Sequence, residues 1–315
     1  MKKIYFFITI FLFSNVLKAQ DIDEATMDSI VKAYAEIEKS MEYKTGKINF
    51  TTEEASLIVP KGFKFLNAAQ TQYVLTDLWG NTEDKSVLGA IIPEKIKVTD
   101  PDCWMFVINF EAMGYVKDDD AKDMNYDDLL KQIREDIKVE NEERKKLGLE
   151  SVQLIGWAST PFYDDKNKVL HWAKEFKFGD SESNTLNYDL RILGRKGVFK
   201  VAAVASIDQL NEIKPTIPSI INSIQYNEGA KYENFDSSTD DIAAWTIGGL
   251  VAGKVLTKVG FFAVIAKFGK FIVIGLIALL AGARKYIFGN KSPKNSRKEE
   301  ETTTTENSSS EEKSE

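Results

Sequence analysis

The feature that most constrains this chain of 315 residues is an apolar region near its C-terminus, which contains lysines and ends at a cluster of basic residues. Phe271–Ala283 carries no charge, but its 13 residues are fewer than the about 20 that a transmembrane helix needs. An upstream extension takes in Lys270 and Lys267, which would lie about 5 to 9 Å from the outer surface of the bilayer, where their ammonium groups reach water. The sequence therefore predicts one transmembrane helix over residues 259–283.

The residues on either side of this region predict its orientation. Residues 227–241 before it are acidic and polar, whereas the tail after it, residues 284–315, begins with basic residues and ends in a Glu-, Thr- and Ser-rich stretch. The basic residues are Arg284, Lys285, Lys291, Lys294, Arg297 and Lys298. Because Lys and Arg beside a span favour the cytoplasmic side, the tail is expected in the cytoplasm, and its low-complexity end is expected to be disordered.

The N-terminus has the pattern of a secretory signal. Lys2 and Lys3 precede an apolar run from Ile4 to Phe13, and a small residue, Ala19, follows at a suitable cleavage position. Residues 1–19 are therefore predicted to be a cleaved signal peptide, with an uncleaved anchor helix as the alternative. A secreted N-terminal part and a cytoplasmic tail agree with a single span in the bacterial inner membrane, with the module between them in the periplasm.

The segment just before the predicted span, residues 242–258, has small residues four positions apart, among them Gly249 and Gly253. This spacing favours close helix packing and indicates a dimerisation helix or the first arm of a membrane hairpin. A hairpin is disfavoured because it would leave the basic tail outside. The alternative is an amphipathic helix at the membrane interface, anchored by Trp245. Residues 227–241 are expected to be a linker.

Composition excludes several classes of function. One cysteine and one histidine cannot form a disulfide framework or a zinc site built from Cys and His. Residues 20–241 hold 27 basic and 41 acidic residues, a poor match for nucleic acid, whose binding requires basic side chains on phosphates. No nucleophile-elbow, zinc-protease, phosphate-loop or dinucleotide motif occurs, so no cofactor is predicted.

The middle of the chain predicts an α+β fold, with an antiparallel sheet and helices packed on it. A helical leader over residues 20–45 precedes a domain over residues 46–226. Predicted strands, several of which alternate apolar and polar residues, are Ser56–Pro60, Phe63–Leu66, Val87–Ile92, Trp104–Phe110, Val152–Trp157, Val169–Phe178, Leu186–Leu193 and Val198–Ala205. Predicted helices follow Asn67, Asn125 and Asp208.

A loop after one predicted strand carries three consecutive carboxylates, Asp118, Asp119 and Asp120. Such clusters can hold Ca²⁺ or Mg²⁺, which prefer oxygen ligands, although the EF-hand spacing is absent. The alternative is a solvated turn that leads to the helix cap at Asn125, where acidic residues are favourable. We favour the solvated turn.

Two further segments contain candidate ligand-binding residues. The first has large amphipathic side chains of the kind that line clefts, or that fill ordinary core positions, beside an acid; its candidates are Trp157, Tyr163 and Asp164. The second is a hairpin candidate, and its candidates are Asn187, Tyr188, Arg191 and Arg195. The two arginines are suited to carboxylates. They are expected either to pair with Asp118–Asp120 or Asp164, or to bind an anionic or peptidic ligand.

Three phrases together resemble a known family: GYVKDDDA from Gly114, GWA-x-x-P-x-YD from Gly156 and NY-x-x-R-x-LGR-x-G from Asn187. In this order they are similar to the bacterial membrane-anchored family called domain of unknown function 2167, over about Ala55 to Gly282. The resemblance implies a signal peptide, an exported module and a C-terminal membrane segment. It implies no activity and no catalytic residues. The last predicted strand and helix also resemble the ends of small PsbP-like and Mog-one-like domains.

Two functions follow as hypotheses. The preferred one is a non-enzymatic, membrane-anchored periplasmic protein whose module binds a protein or another envelope component, or which associates with itself through the membrane segment. The alternative is a hydrolase-like or divalent-metal-dependent enzyme that uses Asp118–Asp120 with Arg191 and Arg195.

Overall fold

The computed structural model describes residues 24–81 and 83–255. The predicted signal peptide, the transmembrane helix with Lys267 and Lys270, and the tail lie outside the described residues. Within the described ranges, no helix has both the length and the apolar character that crossing a membrane requires.

The described part contains six α-helices and ten strands. The helices are α1 (Glu24–Ser40), α2 (Ala68–Tyr73, continued by a π-helical turn at Val74–Leu78), α3 (Tyr126–Lys146), α4 (Leu210–Ile213), α5 (Ile217–Ser223) and α6 (Ile247–Ala252). The strands are β1 (Lys47–Phe50), β2 (Ala55–Ile58), β3 (Phe63–Asn67), β4 (Val87–Pro93), β5 (Phe106–Glu111), β6 (Val152–Asp164), β7 (Val169–Phe178), β8 (Thr185–Leu193), β9 (Val198–Ser206) and β10 (Ile224–Tyr226).

The strands form two antiparallel sheets. Seven of them lie in the order β3-β4-β5-β9-β8-β7-β6, and three form a small sheet in the order β1-β2-β10. The expected architecture of antiparallel sheet with packed helices is therefore confirmed. The sequence did not predict β1 or β10, which are four and three residues long.

The two faces of the seven-stranded sheet are packed differently. On one face a continuous core, with Phe106, Tyr188 and Phe199 fully buried, packs against the small sheet, α4 and α5. On the other face two separate clusters cover the two ends of the sheet. One contains residues of α3 and α6 over β6 and β7, and the other contains residues beside α2 over β3, β4 and β5. The middle of this second face, on β8 and β9, is only half-buried.

The glycines of the third sequence phrase are explained by close approach of neighbouring groups. A Cβ atom at Gly194 would lie 2.3 Å from the ring of Tyr226, and one at Gly197 would lie 2.5 Å from the carbonyl oxygen of Glu111. Only glycine fits at either position without displacement of β10 or β5.

The structure corrects the expected end of the module at residue 226. Residues 227–241, expected as a linker, are held on the sheet: Tyr232 is buried, and backbone bonds join Arg195 to Ala230 and Tyr115 to Asp241. Residues 242–258, expected as one membrane-associated helix, contain in their described part only the six-residue α6. The folded module therefore continues at least to Ala252.

Candidate functional site

The aspartates of the acidic loop turn to different partners. Asp118 accepts hydrogen bonds from the hydroxyl of Tyr163 at 2.7 Å and from Nζ of Lys168 at 2.9 Å. Burial opposes its ionisation, but the hydrogen bonds from Lys168 and Tyr163 outweigh that effect and lower the pKa of Asp118. Lys168 also forms an ion pair with Asp165. Asp118 is thus part of a structural contact between the loop and β6.

Asp120 has a separate role at the start of α6. Its two carboxylate oxygens accept from the backbone N–H groups of Ile247 and Gly248, at 3.2 Å each. The side chain of Thr246 accepts from the N–H of Gly249 and completes the cap. Because a helix N-terminus leaves its first N–H groups without partners, an acid at this place stabilises α6 against the module.

Arg195 holds the segment before α6. Its Nε and Nη2 donate to the two carboxylate oxygens of Asp240 at 2.7 and 3.0 Å, and Nη1 donates to the carbonyl of Gly229. The hydrogen bonds from Arg195 lower the pKa of Asp240 to about 2. The pairing of Arg195 with the acidic loop or Asp164, which the sequence left open, is therefore wrong.

Arg191 also pairs elsewhere than the sequence suggested. Its Nη2 donates to Asp189 at 3.2 Å, and Nη1 donates to the carbonyl of Leu190. Asp164 instead closes its own turn by accepting from Lys166 and Asn167. The acids and arginines of the enzymatic hypothesis thus do not form one cluster. Among the described residues, no group of three or more His, Cys, Asp or Glu side chains could hold a metal ion.

The aromatic candidates pack as core residues. Trp157 is partly buried beside α3 and donates from Nε1 to the carbonyl of Tyr126 at 3.3 Å. Tyr188 is buried in the core on the opposite face, where its hydroxyl lies 3.3 Å from Nδ1 of His171. Burial lowers the pKa of His171. Phe162, the aromatic neighbour of Tyr163 in β6, is 57% exposed.

The candidates of the membrane-proximal segment belong to the module. Gly249 is buried in α6, and Trp245 is packed against the cluster that α3 and α6 share. Gly253 ends α6 with φ +71°, the left-handed conformation that favours glycine after a helix. Lys254, just beyond it, forms an ion pair with Asp136 of α3. These positions explain the small residues without a dimer contact.

The half-buried middle of the sheet brings polar side chains of neighbouring strands together. Cross-strand partners point to the same side of a sheet, so the register aligns three rows. The rows are Leu170–Arg191–Lys200–Asn109, Trp172–Asp189–Ala202–Val107 and Lys174–Asn187–Val204. We call the half-buried polar side chains on β7, β8 and β9 the central patch; its members are Lys174, Asn187, Asp189, Arg191 and Lys200.

Most charges of the central patch are paired. Arg191 pairs with Asp189, and their side chains are only 12% and 15% exposed. Lys200 lies 3.3 Å from a carboxylate oxygen of Glu111. Within the described ranges, Lys174 forms no ion pair; its ammonium lies 5.9 Å from the ring centre of Trp172 and 5.8 Å from that of Phe176. Burial lowers the pKa of Lys174, although the charge of Asp189 opposes this.

Two of the five members of the central patch were among the candidates predicted from the sequence. Asn187 and Arg191 stand in the third phrase, but Lys174, Asp189 and Lys200 were not singled out. The signal was present in the alternation of β8, where apolar residues of the buried face alternate with Asn187, Asp189 and Arg191. It could not be assigned to a site, because a polar strand face is usually a solvated one.

A known family model covers most of the folded module described above. The family model described as "Protein of unknown function (DUF2167)" matches residues 42–281, about three quarters of the sequence. The chain belongs to this family. The match extends past β10 and α6, in agreement with the attachment of residues 227–252 to the module. No curated protein matches this DUF2167 chain.

Three solved structures are similar to this DUF2167 chain, each with a TM-score below 0.5. Cyanobacterial PsbP from Synechocystis sp. PCC 6803 has 9% identity and a TM-score of 0.34, over 57% of this chain and 91% of its own. The Ran-binding protein Mog1p of Saccharomyces cerevisiae has 10% identity and a TM-score of 0.33, over 62% and 100%. LpqN of Mycobacterium tuberculosis, described as involved in cell envelope biogenesis, has 12% identity and a TM-score of 0.30, over 61% and 95%. These values carry no functional argument.

Proposed function

We propose that this chain is a membrane-anchored protein of the bacterial cell envelope, whose module lies in the periplasm and binds an envelope component through the central patch. The observation that carries the proposal is the half-open, charged middle of the sheet between its two helix-covered ends. Polar side chains on strands are held in fixed positions, which reduces the conformational entropy lost on binding.

The anchoring part of the proposal is supported by the sequence. A signal-like N-terminus, an apolar region with lysines at one end and a basic cluster at the other are consistent with one span and a cytoplasmic tail. Family membership adds no activity, since the family is described only as one of unknown function.

The enzymatic alternative has no observation in its favour. It requires Asp118–Asp120, Arg191 and Arg195 to act together, whereas Asp118 contacts Tyr163 and Lys168, Asp120 caps α6, and each arginine has its own carboxylate. The binding hypothesis requires only the central patch, which stays half-buried with these contacts in place.

Photo-crosslinking in living cells tests the proposed binding role. A photoreactive amino acid at Val204, which lies beside Asn187 in the half-buried part of β9, is expected to capture a species that raises the apparent mass of the full chain. The matched control replaces Lys177, which is half-buried on β7 and lies on the opposite face by strand alternation.

The control position is expected to give no such species. If Val204 captures nothing, or if Lys177 captures the same species in the same amount, the central patch is not the binding surface and the proposal fails.

A further inference from the structure

One side chain beside the central patch has a hydrogen-bond donor without an acceptor. Trp172 is 1% exposed, and within the described part of the chain its indole N–H has no hydrogen-bond partner. A buried polar group without a partner is unusual and destabilises the folded protein, because the group has lost its hydrogen bond to water. A ligand that brings an acceptor to this indole N–H would satisfy it.

Two cations lie on either side of this indole. The guanidinium carbon of Arg191 lies 4.9 Å from the ring centre of Trp172, and Nζ of Lys174 lies 5.9 Å from it. In the sheet register, Arg191 belongs to the row before Trp172 and Lys174 to the row after it. Cations from the two flanking rows therefore lie within 6 Å of the centre of the ring that carries the unpartnered N–H.

These donors differ in how far they are already used. Arg191 is held by Asp189 and by the carbonyl of Leu190. Lys174, in the described part of the chain, donates no hydrogen bond and has no carboxylate within ion-pair distance. Its cross-strand partner is Asn187, whose amide adds another donor at the same row. The patch thus has unused donors and one unpaired positive charge.

We propose that Lys174, Arg191 and the indole N–H of Trp172 form a site for the oxyanion of a ligand, a carboxylate or a phosphate group. This inference rests on the proposed binding role of the central patch and names the chemistry that the patch recognises. An oxyanion supplies several acceptors and a negative charge at one place, which matches two cations beside a neutral donor. A neutral ligand would leave the Lys174 charge uncompensated.

The indole N–H is shielded from solvent, so the anion reaches it when a covering side chain moves. Lys174 has a flexible four-carbon stem with a mobile ammonium, whereas Arg191 is fixed by its pair with Asp189. The bound anion therefore draws Lys174 towards itself, and Arg191 stays in place over Trp172.

Nuclear magnetic resonance of the indole N–H groups tests the site directly. The full chain, labelled with ¹⁵N-tryptophan and purified in a non-ionic detergent, is titrated at constant ionic strength with inorganic phosphate, with acetate and with chloride. The Trp172→Phe variant identifies the Trp172 signal. We expect a saturable shift of this signal with phosphate or acetate and none with chloride.

The variant Lys174→Gln is expected to weaken the apparent affinity for the responding anion by about tenfold or more. The variant Lys177→Gln, on the opposite face of β7, is expected to bind like the parent protein. Unchanged positions of the other indole signals show that Lys174→Gln is folded.

The comparison of phosphate and acetate tells which group the site prefers. A saturable response to either one, lost in Lys174→Gln and kept in Lys177→Gln, supports the site. An equal response to chloride, no response of Trp172, or an undiminished response of Lys174→Gln overturns it. The titration uses purified protein, so it is independent of crosslinking from Val204, and failure of one leaves the other result standing.

Discussion

At the scale of single residues, the unusual feature is Lys174, a half-buried cation that has no ion-pair partner among residues 24–81 and 83–255. Lysine side chains are usually exposed to water, because a buried charge loses its hydration and only a partner compensates for that loss. Lys174 has aromatic rings beside it and Asp189 only at longer range. Such a residue lowers the stability of the free protein and is typical of a binding site.

The change Lys174→Met is therefore expected to raise the free energy of unfolding by about 1 kcal/mol, which corresponds to a melting temperature about 2 to 4 °C higher. Since burial lowers the pKa of Lys174, the folded protein binds fewer protons than the unfolded one at alkaline pH. The gain from Met is thus largest at neutral pH and decreases as the pH rises towards about 10.4.

Thermal unfolding of both proteins between neutral and alkaline pH measures this effect. Lys177→Met serves as the control on the opposite face and is expected to change little. A lower melting temperature for Lys174→Met at neutral pH would show that the lysine stabilises the free protein, contrary to the account.

Replacement of Asp120 is expected to lower the free energy of unfolding, in contrast to Lys174→Met. The change Asp120→Ala removes the acceptor of two N–H groups at the start of α6 and is expected to lower the free energy of unfolding by about 1 to 2 kcal/mol. Asp120→Asn keeps one oxygen acceptor and should recover part of the loss. Denaturant unfolding measures both, and an unchanged midpoint for Asp120→Ala would contradict the cap.

At the scale of elements, α6 packs on the module through buried apolar residues, and polar contacts hold the segment before it. The pair of Arg195 and Asp240 joins this segment to the turn after β8, and the stacked rings of Tyr115, Tyr232 and Phe235 add an apolar contact. Residues 227–252 are therefore part of the folded module, although the composition of residues 227–241 is that of a linker.

The Arg195–Asp240 pair predicts a pH dependence of this attachment. Because the pKa of Asp240 is lowered to about 2, the pair stabilises the folded state fully above the unfolded value of about 3.9. Its contribution is lost as the pH falls through about 2. Arg195→Ala is expected to weaken the attachment already at neutral pH.

Limited proteolysis at neutral pH measures the attachment. Cleavage within residues 227–252 should be faster in Arg195→Ala than in the parent protein. Lys196→Ala is the neighbouring control, since Lys196 forms only an exposed ion pair with Glu54. Equal cleavage rates in the parent and in Arg195→Ala would mean that the pair does not hold the segment.

The same elements show how far the sequence predicts the structure. The strands that face the core, such as β8, were predicted because apolar residues alternate along them. The attachment of α6 was not, because Asp120 and Ile247 are 127 positions apart and only the fold brings them together. Small residues at spacing four favour close packing, but the pattern does not tell whether the packing partner is a second chain or α3.

The central patch was predicted only in part for a similar reason. Arg191 was identified by its type and its phrase, but its partner Asp189 and the neighbouring Lys174 come from the alternation of two strands and their register. Register depends on how the whole sheet is assembled, so no local pattern contains it. The unpartnered indole of Trp172 has no sequence signal at all.

At the scale of the whole molecule, the proposed topology has the module and the tail on opposite sides of the cytoplasmic membrane. This topology is required for the central patch to meet a component of the envelope. It rests on the distribution of lysines and arginines around one apolar region, which lies outside the described residues.

Labelling of single cysteines with a membrane-impermeant maleimide tests this topology most directly. Burial raises the pKa of the native Cys103 to about 12, so this thiol reacts slowly and can stay in place. Phe162→Cys puts a thiol at an exposed position of the module, and Ser309→Cys puts one in the tail. In cells with an intact cytoplasmic membrane, we expect Phe162→Cys to be labelled and Ser309→Cys to be labelled only after that membrane is disrupted. Labelling of Ser309→Cys in intact cells, or protection of Phe162→Cys, would contradict the account.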